Sequence, residues 1–228
     1  MKILNLEISP EVEAIIQNEK SNKNFDIVHI YGEQERTKIL EPHKYEITIT
    51  KNTSVDIYLH EFMHCVQYEM GFYKLGNYHT HTAVTKSMIG ATVQNFVLDF
   101  YVNEYLHTKY KFKIHTTDKK YNYYKSVIRN INKNLISDND LYNLLAVEIV
   151  YIYWNINQIQ ANELLHYSDE LNDKIRSKFN QISGIITSYR DPTPKNSKLV
   201  FNRILQIVEL SEIFLPVCPL EMWSENQT

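Results

Sequence analysis

The chain has 228 residues, with 24 lysines and arginines against 27 aspartates and glutamates, and a formal net charge of −3 at pH 7. A chain of this length buries enough apolar surface to fold as one domain, or as one domain with an appended helical lobe, without disulfide support. Its weak negative charge creates no field that would gather phosphates, which argues against nucleic acid as a partner. The two cysteines, Cys65 and Cys218, fit a reduced intracellular chain, and nothing in the sequence supports their pairing.

The amino-terminal sequence MKILNLEI lacks an apolar core of signal-peptide length. No run approaches the roughly 18 uninterrupted apolar residues of a membrane span. We therefore expect a soluble, cytoplasmic protein with no membrane partner. The abundance of Asn, Lys, Ile and Tyr is typical of an AT-rich genome, bacterial or phage.

The first fifty residues predict short strands and one helix. Weak alternation indicates a strand at Ile3–Ile8, and Pro10–Lys20 is a short helix that a proline opens. Phe25–Tyr31 is a compact apolar run that ends in Gly32. Tyr45–Thr50 alternates and is flanked by charged residues, which predicts an edge strand.

The segment Thr53–Met70 predicts a helix with one apolar face. Thr53 and Asp56 have the spacing of a capping box, and Gly71 is placed to end the helix. Apolar residues at spacings of three and four predict the face that packs the core. These are Val55, Leu59, Phe62, Val66 and Met70.

Two histidines lie on another face of the same predicted helix. His60 and His64 project one turn apart from one side, because an α-helix has 3.6 residues per turn. A zinc ion at about 2.0–2.1 Å from a nitrogen of each imidazole could be held without bending the backbone. Glu61 lies beside this face, can reach a water on the metal, and is the candidate general base. The alternative is that both histidines are ordinary surface or core residues.

The sequence HEFMH at 60–64, with Gln67 following, resembles the active-site helix of the zincin metallopeptidases. A metzincin would carry histidine at position 70, where this chain has Met70, so that branch does not fit. In the gluzincin branch, a second helix carries Glu-x-x-Ala/Ser-Asp, in which the Glu binds zinc and the Asp orients the first motif histidine. On a predicted helix of this chain, Asp99 and Asn103 have the same spacing as this Glu and this Asp.

The resemblance implies a site of two histidines and one carboxylate, in which Asp99 joins His60 and His64 as a metal ligand. Asn103, on the same helix face as Asp99, would accept a hydrogen bond from a ligand imidazole. Glu104 is the alternative third ligand, and it points about 100° away from Asn103 around the helix. The other interpretation is that Asp99 and Glu104 form a solvated helix face.

The loop Gly71–Thr82 is expected near the metal because both of its ends adjoin the two site helices. Its histidines, His79 and His81, could stabilise a developing oxyanion, contact substrate or replace the third ligand, or they could simply be solvated. In the zincin fold, the edge strand beside the active-site helix pairs with the extended substrate. By this resemblance, Tyr45–Thr50 is the candidate strand.

The remainder of the chain is predicted to be helical. Ala83–Tyr110 is one long helix, and Leu144–Trp154 is apolar almost all round, so its helix is central to the lobe. Glu148 within it is then a buried carboxylate with a structural partner. The further helices, separated by capping residues and by an Asp-Pro-Thr-Pro break, are Asp118–Asn134, Asp138–Leu165, Ser168–Tyr189 and Ser197–Leu215.

The sequence thus predicts an α+β, zincin-like protein. Residues 1–115 would hold a small sheet, the motif helix and the third-ligand helix, and residues 116–228 a helical lobe packed on them. The expected function is zinc-dependent hydrolysis of a peptide or protein substrate, with one Zn²⁺ per chain and with Glu61 as the base that takes a proton from the attacking water.

Two alternatives remain open at this point. One is a non-catalytic binding or regulatory module that keeps the fold with a structural or vestigial metal. The other is a helical scaffold in which the motif is accidental. Glu61 favours an enzyme, because a degenerate site has little reason to carry that glutamate. The sequence does not determine the oligomeric state.

Overall fold

The computed structural model describes residues 1–77, 83–113, 121–122, 125–126, 139–155, 157–169 and 173–225. These ranges are α+β and mostly helical, the class that the sequence predicts. The chain divides into two units. The first consists of Met1–Tyr73, Tyr105–Ile114 and Val217–Thr228, and the second of Lys74–Glu104 and His115–Pro216.

The first unit contains a hairpin, a three-stranded sheet and helices. Its elements are β1 (Lys2–Ile3), β2 (Leu6–Glu7), α1 (Pro10–Asn22), β3 (Asp26–Tyr31), β4 (Arg36–Glu41), β5 (Lys44–Ile49), α2 (Val55–Glu69) and, near the end of the chain, α8 (Pro219–Glu225). The sheet has the order β3-β5-β4, with β3 parallel and β4 antiparallel to β5. The strand expected at Ile3–Ile8 is instead the antiparallel pair β1 and β2.

β5 is the central strand of this sheet, so the prediction that Tyr45–Thr50 forms an edge strand is wrong. Tyr45 and Ile47 are completely buried, and α2 packs on both β4 and β5. Alternation reports only that one face of a strand is covered, and a central strand of a one-sided sheet has the same pattern. The edge strands are β3 and β4, and β4 was not predicted from the sequence.

The motif helix α2 is capped at both ends, though not by the expected residue at its start. Ser54, not Thr53, is the N-cap, and its hydroxyl accepts a hydrogen bond from the Ile57 amide at 3.3 Å. At the other end Gly71 has φ 82°, and its amide donates to the Tyr68 carbonyl. The following amide, of Phe72, donates to the Gln67 carbonyl, so the helix ends in a Schellman motif.

The buried face of α2 agrees with the predicted stripe at its centre. Leu59, Phe62 and Val66 are completely buried. Cys65, also buried, and Cys218 are free thiols. Burial raises the pKa of the Cys65 thiol, which keeps it protonated.

The second unit contains the elements β6 (Lys74–Asn77), α3 (Val84–Tyr110), α4 (Asn139–Asn155), α5 (Gln158–Asp169), α6 (Asp173–Ser188), α7 (Pro194–Ile207) and β7 (Phe214–Val217). The last turns of α3, from Tyr105, and the last residue of β7 belong to the first unit. β6 and β7 form a two-stranded sheet. No helix in the described ranges is long and apolar enough to cross a membrane.

Several helix boundaries differ from the sequence predictions. Ser168, the predicted start of a helix, lies within α5, and α6 begins at Asp173. Asp138–Leu165 is two helices rather than one, because the Asn157 side chain accepts hydrogen bonds from two following amides and begins α5. Helix α7 starts at the N-cap Thr193, where Asn196 was expected. It ends at Ile207, whereas the predicted helix extends to Leu215. Phe214 and Leu215 belong to β7. Most of the predicted helix Asp118–Asn134 lies outside the described residues.

Helix α4 is the most buried helix of the second unit, as expected for Leu144–Trp154. Its apolar residues from Leu145 to Ile152 are almost all inaccessible to solvent. Glu148 is also buried and accepts a hydrogen bond from the Thr92 hydroxyl at 2.9 Å. The prediction of a buried carboxylate with a structural partner is confirmed.

Within the first unit, a buried glutamate joins α1 to the end of α3. Glu19 is fully buried, and Lys109 and Lys23 donate to its two oxygens at 2.7 and 2.6 Å. Burial alone would raise the pKa of this carboxyl, but hydrogen bonds from Lys109, Lys23 and Tyr110 outweigh burial and lower it to about 2. The end of α3 is therefore held by an ionised carboxylate.

Candidate metal centre

The two histidines of α2 face one another across one helical turn. The Nε2 atoms of His60 and His64 lie 3.1 Å apart, and the imidazole planes are at 85° to each other. Both residues are partly exposed. Four-residue spacing alone produces this arrangement, because successive turns place both side chains on one side of the helix.

The separation of these nitrogens suits a shared metal ion. Two nitrogens at about 2.0–2.1 Å from one tetrahedral zinc ion are about 3.3–3.4 Å apart. The observed distance of 3.1 Å between the Nε2 atoms of His60 and His64 is close to that value. The two side chains therefore need little movement to bind one ion together.

Gln67 lies within hydrogen-bond distance of one of these imidazoles. Its side-chain oxygen lies 3.1 Å from Nδ1 of His64, and the residue is only 2% exposed. An amide oxygen only accepts hydrogen bonds, so we assign the proton to Nδ1 and the lone pair to Nε2. This is the arrangement that a metal-binding histidine requires. No role for Gln67 was predicted from the sequence, although a residue three positions after a histidine lies beside it on a helix.

Asp99 lies close to both histidines. One ligand atom from each of His60, His64 and Asp99 can be chosen so that all three lie within 4.8 Å of one another. Within the described residues, this is the group of histidine, cysteine and carboxylate side chains that could hold a metal ion. Two imidazoles and one carboxylate are a donor set that binds zinc and leaves a coordination position open.

Tyr151 on α4 contacts the carboxylate of this group. Its hydroxyl donates a hydrogen bond to Oδ2 of Asp99 at 2.7 Å. Tyr151 is 9% exposed, so the bond is largely shielded from solvent. No role for Tyr151 was predicted from the sequence. The signal that could have indicated it is a phenol within an otherwise apolar helix, since a buried tyrosine hydroxyl usually finds a partner.

Glu61 contacts the edge strand β4. The hydroxyl of Thr37 lies 2.8 Å from Oε2 of Glu61 and 2.7 Å from its main-chain oxygen, so the single hydroxyl proton is donated to one or shared by both. Glu61 is not a member of the group of candidate ligands. A carboxylate beside the ligands but not among them is what a general base needs.

Asn103 and Glu104 have partners within the second unit. The Asn103 side-chain amide donates to Asn155 at 2.9 Å, and its Oδ1 accepts no hydrogen bond from the described residues. The role of Asn103 as acceptor from an imidazole thus stays a prediction. Glu104 makes two hydrogen bonds to the guanidinium of Arg190, at 2.6 and 2.9 Å. It would have to give up this pair to bind a metal.

His79 and His81 lie outside the described residues. Their possible contacts with substrate, oxyanion or metal remain expectations from the sequence.

In comparisons with known protein families, curated proteins and solved structures, nothing matches this chain.

Proposed function

We propose that the protein is a zinc-dependent metallopeptidase. The observation that carries this proposal is the proximity of His60, His64 and Asp99. Further support comes from Glu61, which follows the first histidine directly and is oriented by Thr37. The resemblance of the HEFMH segment to the zincin active-site helix is independent of this geometry and agrees with it.

In this proposal, His60 and His64 would hold the metal through Nε2, and Asp99 would hold it through a carboxylate oxygen. Gln67 holds the His64 ring. A bound zinc ion would act as a Lewis acid and bring the pKa of a coordinated water towards about 7. The same donor set also accepts ferrous iron, but a glutamate between the histidines favours a hydrolytic site.

Glu61 is the proton carrier of the proposed reaction. Its carboxylate takes a proton from the water that attacks the peptide carbonyl, and then gives this proton to the departing amine. The Thr37 hydroxyl lies 2.8 Å from Oε2 and can hold the carboxylate in place when its proton is directed there.

An extended peptide backbone is the proposed substrate, and β4 is the proposed place for it to bind. Within the described ranges, β4 pairs with β5 on one side and with no strand on the other. A free strand edge binds an extended chain through main-chain hydrogen bonds. Because Thr37 belongs to β4, a peptide added there would lie next to the candidate base. β4 thus takes the role that the resemblance implies for Tyr45–Thr50, which lies at the centre of the sheet.

The test combines metal analysis with one substitution. We expect about one zinc per chain, and hydrolysis of a mixture of internally quenched peptides. Glu61→Gln should keep the metal and lose hydrolysis, because an amide cannot take the proton. Glu46→Gln, on β5, is the matched control and should behave like the parent.

Each other outcome rejects a defined part of the proposal. No transition metal, with no uptake of added zinc, would reject both the enzyme and the non-catalytic metal-binding module. If zinc binds but no peptide is hydrolysed, the enzyme is rejected and the non-catalytic metal-binding module remains. Hydrolysis by Glu61→Gln at the parent rate would show that Glu61 is not the base.

A further inference from the structure

A row of polar side chains joins α3 to α4 within the second unit. It consists of three hydrogen bonds between side chains, with donor–acceptor distances of 2.7–2.9 Å. The paired residues, one from each helix, are Thr92 with Glu148, Asp99 with Tyr151, and Asn103 with Asn155. We call these three pairs the polar seam.

The spacing of the seam residues places them on one face of each helix. On α4, Glu148, Tyr151 and Asn155 are separated by three and four residues, which is the spacing of a single helical face. All three are at most 9% exposed. The residues next to Glu148 and Tyr151 on α4 are apolar and completely buried, so at these two positions water does not easily replace a lost partner.

The central pair of the seam is also part of the candidate metal centre. The Tyr151 hydroxyl donates to Oδ2 of Asp99, and Asp99 is the carboxylate that lies near His60 and His64. A hydrogen bond to one oxygen of a carboxylate restricts rotation of the group and makes chelation by both oxygens unfavourable. Chelation matters here, because a second oxygen on the metal would fill the position that water or a substrate carbonyl needs.

We propose that Tyr151 is a positioning residue that makes Asp99 a one-oxygen ligand. By engaging Oδ2, it directs Oδ1 to the metal and keeps the coordination position for the reactants open. This inference rests on the proposed metal centre. It goes beyond that centre by assigning α4 a role in the coordination number of the metal.

Cobalt(II) is the probe for this proposal, because its visible absorption is stronger in four-coordinate than in five-coordinate sites. Metal-free protein would be titrated with Co²⁺ in competition with a chelator. We expect Tyr151→Phe to bind Co²⁺ about 10–100-fold more weakly than the parent, the usual effect of losing a hydrogen bond to a ligand. We also expect its absorption to fall, because Asp99 can then chelate.

A control variant distinguishes the positioning of Asp99 by Tyr151 from a general weakening of the polar seam. Thr92→Val removes the neighbouring seam bond without touching Asp99. It should leave both the Co²⁺ affinity and the absorption at the parent values. Thermal unfolding of all three proteins would verify that each is folded at the temperature of the titration.

The outcomes distinguish this inference from the proposed function. A parent that binds no Co²⁺ would reject the metal centre itself. If the parent binds Co²⁺ and Tyr151→Phe matches it in either affinity or absorption, the positioning role of Tyr151 is rejected and the metal centre stands. The same rejection follows if Thr92→Val reproduces both changes.

Discussion

The hydroxyl of Thr37, on the edge strand β4, lies 2.8 Å from Oε2 of Glu61 on the motif helix α2. The two residues are 24 positions apart in the chain. The candidate base is therefore held from the strand on which we propose that the substrate binds.

Removing the Thr37 hydroxyl should impair the base without affecting the metal. We expect Thr37→Val to lower kcat/KM by about tenfold, since a hydrogen bond to a charged group contributes about 1.5–3 kcal/mol and water can replace part of it. Zinc affinity should be unchanged, because in the described part of the chain the Thr37 hydroxyl is hydrogen-bonded to Glu61 and not to a candidate ligand.

Thr48→Val, in the same sheet, is the control for Thr37→Val. The Thr48 hydroxyl is buried and has no hydrogen-bond partner among the described residues, so its loss should be neutral or slightly stabilising. Equal activity of Thr37→Val and the parent would show that Glu61 does not depend on β4.

Substitutions of Asp99, Asn103 and Glu104, all on α3, should differ in their effect on zinc affinity. Asp99→Ala should weaken binding most, because it removes a ligand. Asn103→Ala should weaken it by about 10–100-fold if Asn103 supports a ligand imidazole. Glu104→Ala should leave affinity near the parent value, since its carboxylate is engaged by Arg190. Competition with a chelator measures all three, and a dominant effect of Glu104→Ala would overturn the assignment of Asp99.

The hydrogen bond from His64 to Gln67 should contribute to metal binding. Gln67→Met removes the acceptor while keeping a similar volume, and should lower zinc affinity by about 10–100-fold. Gln67→Glu keeps an acceptor for Nδ1 and should retain more affinity than Gln67→Met. If both variants bind zinc like the parent, Gln67 does not set the orientation of His64.

Glu19 should make the protein less stable in acid. Its pKa is lowered from an ordinary 4.5 to about 2, so its contribution to stability is complete above pH 4.5 and is lost as the pH falls towards 2. A shift of this size corresponds to about 3 kcal/mol at neutral pH. Urea denaturation of the parent and of Glu19→Gln at pH 7 and pH 3 measures this contribution.

We expect Glu19→Gln to be less stable than the parent at pH 7, and the difference to be smaller at pH 3. Glu11→Gln is the control, because Glu11 is exposed on the same helix and should show neither effect. A stability difference that is the same at both pH values would indicate that the ionised carboxylate is not responsible.

Some features of the site could be predicted because they depend on a few neighbouring residues. The facing of His60 and His64, the position of Glu61 beside them and the end of α2 at Gly71 all follow from helical geometry and from the backbone freedom of glycine. The choice of Asp99 as the partner of the histidines came from a resemblance to a known pattern, and the structure brings these three residues together.

Other features depend on residues distant in the chain, and only the tertiary structure decided them. Alternation at Tyr45–Thr50 indicated a strand with one buried face, but neighbouring strands determine whether it is central or at the edge. Likewise, Thr37 meets Glu61 and Tyr151 meets Asp99 across 24 and 52 positions of the chain. Spacing predicts which side chains share a face of one helix, because the backbone repeats regularly. Which side chain meets that face from another element depends on how the elements pack, and local sequence patterns do not determine that packing.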